Sequence, residues 1–142
     1  MSIGYGLRRV ANALNGSTGL GLVIARVGGA TCRKGENGLI LAEGYRPRFP
    51  DGAAFTIGNV VVTRDSFDAL ALWLPNGLAH EARHATQYAL LGVVFWPVYG
   101  VGLVLSWLLT RDRAAAHPLE LWAGLADGGY VTRPSTPAAD PR

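Results

Sequence analysis

The chain has 142 residues, 49% hydrophobic and 16% charged, with a net charge of +3 and one cysteine. That length supports one domain with a real core, and Cys32 alone excludes an internal disulfide framework, a four-cysteine zinc site and a cysteine-ligated cluster within one chain. The twelve arginines and single lysine interleave with carboxylates and no stacking-rich RNA motif accompanies them, so nucleic acid is not an expected partner.

The opening residues MSIGYGLRRVANALNG lack the basic and apolar regions and the cleavage site of a secretory signal. The expectation is a cytoplasmic protein, or a peripheral one at the inner face of the membrane. Leu7, Val10, Ala11 and Leu14 recur at helical spacing with Arg8, Arg9 and Asn12 on other faces, which predicts a short amphipathic helix stopping at Gly16.

From Gly19 to Thr63 the pattern becomes glycine-punctuated apolar runs. In the last of them, AFTIGNVVVT, the β-branched residues after Pro50-Asp51-Gly52 predict strand, in a small antiparallel sheet or hairpin. Ser66 to Trp73 reads as one or two helical turns capped by Ser66 or Asp65. After Pro75-Asn76-Gly77 a helix should start near Leu78, capped by Asn76, and run through HEARHATQYALL to Gly92.

Tyr88 to Thr110 contains 23 residues without a charged side chain. Unbroken, they could span a bilayer core of about 30 Å, but Gly92, Pro97, Gly100 and Gly102 all weaken a straight helix. A buried or interfacial segment, broken near Pro97 to Gly102, is favoured over a crossing, because the chain has to return to the site discussed next. Arg111 to Ala116 is a polar link. His117-Pro118 opens a helix, PLELWAGLAD, that Gly128-Gly129 should end. One domain over residues 1–131 is expected, with a disordered tail from Thr132.

His80-Glu81-Ala82-Arg83-His84 is an HExxH pattern. Residues four apart share a helical face, so both imidazoles can reach one ion, while Glu81 points at the water that the ion activates. Zinc suits such nitrogen ligands. A third ligand has to come from elsewhere. Glu120, flanked by apolar residues that would tuck it inward, is the leading candidate, because a buried carboxylate needs a cation or donors to offset its desolvation. His117 competes with it, Asp127 lies one heptad after Glu120, and the alternative is that Glu120 only caps its own helix. For an oxyanion donor the residues leave Tyr88, Tyr99, Tyr130 and Arg83 open.

HExxHxxQ at His80 to Gln87, then LLG and an aromatic stretch with Pro97 and Tyr99, then His117-Pro118-Leu119-Glu120 and Gly128-Gly129, resembles a group of small bacterial zincin-like proteins. AFTIGNVVVT and the LAEGY at 41 to 45 also match, so the resemblance covers about residues 15 to 130. The wider relationship is to gluzincins, metallopeptidases with two histidines and a downstream glutamate. The resemblance implies His80, His84 and Glu120 as ligands of Zn2+ and Glu81 as general base, acting on a peptide or protein substrate. It implies an α+β fold, a small zincin-like domain with a short antiparallel sheet or hairpin packed on the HExxH helix and a later Glu-bearing helix. Many gluzincins place an acidic residue four after the third ligand to orient the first histidine. Here that position is Gly124, so Asp127 or a backbone carbonyl would have to serve. The competing expectation is a non-catalytic zinc-binding module, membrane-associated or interacting with partners, whose metal is closed by a fourth ligand such as His117.

Overall fold

The structure is a computed structural model and describes residues 3–130. The expected tail from Thr132 lies outside the described residues. Helices α1 (Ile3–Leu14) and α2 (Ser17–Val27) come first. Strands β1 (Thr31–Lys34), β2 (Ile40–Glu43), β3 (Ala54–Ile57) and β4 (Val60–Thr63) follow, then α3 (Phe67–Trp73), α4 (Gly77–Leu91), α5 (Phe95–Thr110) and α6 (Pro118–Ala123). The class is α+β.

The sheet has the order β1-β2-β4-β3. β3 and β4 form a hairpin joined by Gly58-Asn59, with Ile57 opposite Val60, so the run AFTIGNVVVT read as one strand is two. Gly58 takes φ +63°, and a Cβ there would lie 2.4 Å from the Thr18 backbone nitrogen, so both the turn and the close approach of α2 require glycine. The sheet is not purely antiparallel as expected: β2 and β4 pair in parallel. Residues 44–53 carry the chain from β2 round to the far edge, and β3 then turns back to insert β4 beside β2. β4 is covered on both faces and its four residues are all buried. Val60 and Val62 meet Ala25 and Ala42, whereas Val61 meets Leu41, Phe67, Leu70 and Ala85. A strand covered on both faces reads as an uninterrupted Val-Val-Val run rather than an alternating one.

Helix α2 occupies a run, GLGLVIARV, to which no element was assigned from its pattern; its glycines permit close packing, and Gly21 sits against Ile57 O and Val60. Ser66 caps α3, its hydroxyl accepting the Ala69 N–H, as expected. Asn76 precedes α4 but makes no side-chain cap.

The amphipathic helix α1 sits with its polar side inward. Arg8 and Asn12 are buried, while Leu7, Val10 and Leu14 are 66%, 55% and 83% exposed. The reason is hydrogen bonding: Asn12 donates to Ala85 O and Asn59 Oδ1, and Arg8 donates to Ala82 O and Asn37 O, which ties α1 to α4. The apolar stretch breaks at Gly92–Val94, a short 3-10 turn, and not near Pro97 to Gly102. α5 runs unbroken through those residues because Pro97 falls in its first turn, where the N–H it lacks would have no intrahelical partner.

Candidate metal centre

α4 delivers His80, Glu81 and His84 to a buried point because its inner face packs on β3 and α6, and α6 brings Glu120 to the same point from the opposite side. One ligand atom from each of His80, His84 and Glu120 lies within 4.8 Å of the others, and all three residues are buried. The group can hold a metal ion. The two Nε2 atoms are 3.0 Å apart, and Glu120 Oε2 lies 3.2 Å from that of His80 and 3.5 Å from that of His84.

The surrounding bonds fix what those atoms present. His80 Nδ1 faces Gly124 O at 2.9 Å and Ala123 O at 3.1 Å, and carbonyls only accept, so Nδ1 carries the hydrogen. Gln87 donates its amide to Leu119 O, which leaves Gln87 Oε1 to accept from His84 Nδ1 at 2.8 Å. Both neutral imidazoles therefore aim an unshared lone pair at each other and at the Glu120 carboxylate. Glu120 Oε2 is buried without a hydrogen-bond partner. Three inward lone pairs at this spacing repel unless a proton or a cation sits among them.

The electrostatics agree. Burial pulls the His80 and His84 imidazoles down, but the Glu120 carboxylate close against each and the charge of Glu81 outweigh it, so both are raised above the ordinary histidine value. Burial pushes the Glu120 carboxyl up, yet the His80 and His84 imidazoles against it hold it well below the usual carboxylate range. Glu81 differs: it is wholly buried, and desolvation raises it despite the nearby imidazoles and the Thr56 hydroxyl.

Thr56 Oγ1 donates to Glu81 Oε2 at 2.6 Å and fixes that side chain at the wall of a cavity of about 120 Å³. His80, His84, Tyr88, Phe95, Tyr99 and Glu120 line the same cavity, as does the edge strand β3 through Ala54 to Thr56. Of the four oxyanion candidates, Arg83 is engaged by Ala123 O and Asp127, and Tyr99 donates to Glu120 Oε1. Tyr130 lines the cavity and is 40% exposed. Tyr88 has a buried hydroxyl with no partner, one turn beyond His84 on the same face of α4.

His117 is not brought to the group. Its Nε2 meets Tyr99 O at 2.9 Å and its Nδ1 accepts the Leu119 N–H, so it caps α6. With the cap supplied by His117, Glu120 is left to face the histidines. α6 ends at Ala123, not at Gly128-Gly129, because Gly124 takes φ +90° and its N–H closes back onto Glu120 O. Asp127 therefore leaves the helical face it was expected to share with Glu120 and pairs with Arg83 at 2.8 Å. Between the two expected ways of orienting the first histidine, the backbone carbonyls serve.

Sequence reasoning left Thr56 and the Tyr99 contact with Glu120 unassigned. Thr56 had a signal in principle, since the Ile57–Val60 turn places it opposite Val61 on the α4 face. The contact of Tyr99 depends on how α5 docks, and nothing local encodes that. No family model matches this chain, and neither a curated protein nor a solved structure matches it.

Proposed function

We propose that the protein is a zinc-dependent peptide hydrolase of the gluzincin type, with His80, His84 and Glu120 as the metal ligands and Glu81 as general base. The observation that carries this reading is the convergence of three unshared lone pairs, with the N–H groups of the two imidazoles already committed to Gly124 O, Ala123 O and Gln87 Oε1. Two imidazoles and one carboxylate are the donor set that zinc accepts while keeping a position open. A bound zinc ion would supply an electrophile that polarises a carbonyl and acidifies water.

The remaining steps belong to the chain's own residues. Glu81, one position round from His80, takes the proton of the attacking water and passes it to the leaving amine, and its raised pKa suits both transfers. The Thr56 hydroxyl holds Oε2, so Oε1 is the oxygen that works. The Tyr88 hydroxyl supplies a hydrogen bond to the oxyanion that develops on the substrate carbonyl, which gives that buried group its partner. β3 is the outer strand of the sheet and borders the cavity, so an extended peptide can add to it by main-chain pairing.

A closed, structural site would need a fourth protein ligand, and His117 is committed to Tyr99 O and its own helix. The open reading is therefore preferred over the non-catalytic one. Metal analysis of the purified chain tests it. About one zinc per chain is expected, falling to none in His80→Ala and Glu120→Ala and unchanged in His117→Ala; equal metal content in all four proteins would remove the site.

A further inference from the structure

α5 is apolar nearly all the way round, and most of it is uncovered. Within Gly77–Thr110 an 18-residue window reaches a mean hydropathy of 1.9 with only 17% of it buried, whereas a core helix of that composition would be mostly buried. Trp96, Val104, Leu108, Leu105 and Leu109 are 47%, 58%, 58%, 47% and 76% exposed. At 100° per residue they occupy about 220° of the circumference. A second copy packed helix on helix covers a stripe of roughly 100°, less than half of that arc. A lipid surface covers the whole of it.

The ends of the helix agree. Arg111 closes α5 with its guanidinium 4.6 Å above the Trp107 ring, and Arg113 is exposed two residues on. An aromatic ring beside an arginine, with a second arginine two residues on, suits the boundary where acyl chains meet anionic headgroups. The helix does not cross. Its sixteen residues are about 24 Å long, short of a bilayer core of about 30 Å. The link after it runs back along the covered stripe: Ser106 Oγ donates to Asp112 O and accepts the Ala116 N–H, and His117 reaches Tyr99 O. The chain leaves and returns on one side.

The inverted α1 points the same way. An amphipathic helix that buries Arg8 and Asn12 and presents Leu7, Val10 and Leu14 has its apolar partner outside the molecule. The residue after α1 meets the end of α4, where Asn15 lies against Gly92 and donates to Tyr88 O.

We propose that the uncovered face of α5 seats in an anionic lipid surface, lying in the plane of the interface with Arg111 and Arg113 at the headgroups. Trp96 belongs to this face and also lines the metal-site cavity, so the cavity opens at the lipid boundary. The docking does not depend on the chemistry of the metal centre.

Flotation of the full chain with phosphatidylcholine–phosphatidylglycerol vesicles, and with phosphatidylcholine alone, tests it. The wild type floats with the mixed vesicles, and the double variant Val104→Glu, Leu108→Glu loses about tenfold or more of its binding, because each carboxylate must enter the acyl region. Arg111→Gln with Arg113→Gln weakens binding to the anionic vesicles severalfold and leaves phosphatidylcholine binding unchanged. Wild-type protein that stays in the aqueous phase overturns the proposal, as does undiminished flotation of the glutamate variant. A wild-type dimer in buffer that the same variant splits would make a second copy the occupant and end the lipid reading. Should the glutamates unfold the chain, brominated phosphatidylcholine gives an independent reading on wild type. It quenches tryptophan emission, less so in Trp107→Phe, and absence of quenching defeats the proposal.

Discussion

α4 and α5 are neighbours in the chain, fifteen and sixteen residues long, and they obey opposite rules of burial. α4 buries His80, Glu81, His84 and Gln87, while α5 exposes two tryptophans and a row of valines and leucines. Hydropathy alone would have placed them the other way round. A polar group can be buried at little net cost once every donor and acceptor is paired, and on α4 the partners are Gly124 O, Thr56 Oγ1, Gln87 Oε1 and Leu119 O. An apolar group needs only an apolar neighbour, and α5 buries Phe95, Gly102 and Ser106, with Tyr99 packed beside them. The difference shows burial being decided by the availability of partners rather than by residue type.

The largest expected effect comes from neutralising the carboxylate proposed as base while leaving the buried group paired. Glu81→Gln keeps the Thr56 contact within reach and should retain zinc, yet hydrolysis of a peptide substrate should fall by about 10²–10⁴-fold. Undiminished turnover in that variant would end the assignment of Glu81 as base. Next in size is Gln87→Leu, which strips His84 Nδ1 of its acceptor and lets the ring take the wrong tautomer. Zinc affinity measured by competition with a chelator should drop about 10–100-fold, with the fold preserved by far-ultraviolet circular dichroism.

On the α5 side, the narrow contact can be overfilled. A Cβ at Gly102 would lie 2.5–2.9 Å from the His117 ring, so Gly102→Ala should destabilise the protein by about 1–3 kcal/mol in urea unfolding. Gly100 meets nothing within 4 Å, and Gly100→Ala should be neutral or slightly stabilising in the same measurement.

The smallest effect lies away from both helices. Glu43 accepts the Phe67 N–H at the start of α3 and pairs with Arg33 at 3.1 Å, which together hold its carboxyl below the ordinary glutamate value. A lowered native pKa stabilises the fold above the unfolded value, near 4.3, and that contribution is lost as pH falls below it. The stability difference between wild type and Glu43→Gln should therefore shrink on acidification from about pH 6 to about pH 3.

Much of the framework was legible because its signals are local. A β-branched run with Gly58-Asn59 in its middle makes a hairpin, Ser66 caps a helix, and a proline after His117 starts one. The HExxH spacing put His80 and His84 on one face before any tertiary contact was known, since the helical period alone dictates it. The equally clear periodicity of α1 left its orientation open. Amphipathicity identifies two faces, and only the carbonyls of Ala82 and Ala85 on α4 decided which one turned inward.

The sequence by itself determined which groups share a helix face and where helices and turns begin, because three- and four-residue spacings and glycine or proline backbones act within a single turn of chain. Only the tertiary structure decided that β4 slots beside β2 in parallel, that His117 caps α6 while Glu120 faces the histidines, and that Tyr99 and Thr56 brace the two carboxylates. Those are meetings between segments about twenty to forty residues apart. They are selected by which arrangement pairs most buried polar groups together, a condition no local pattern can express.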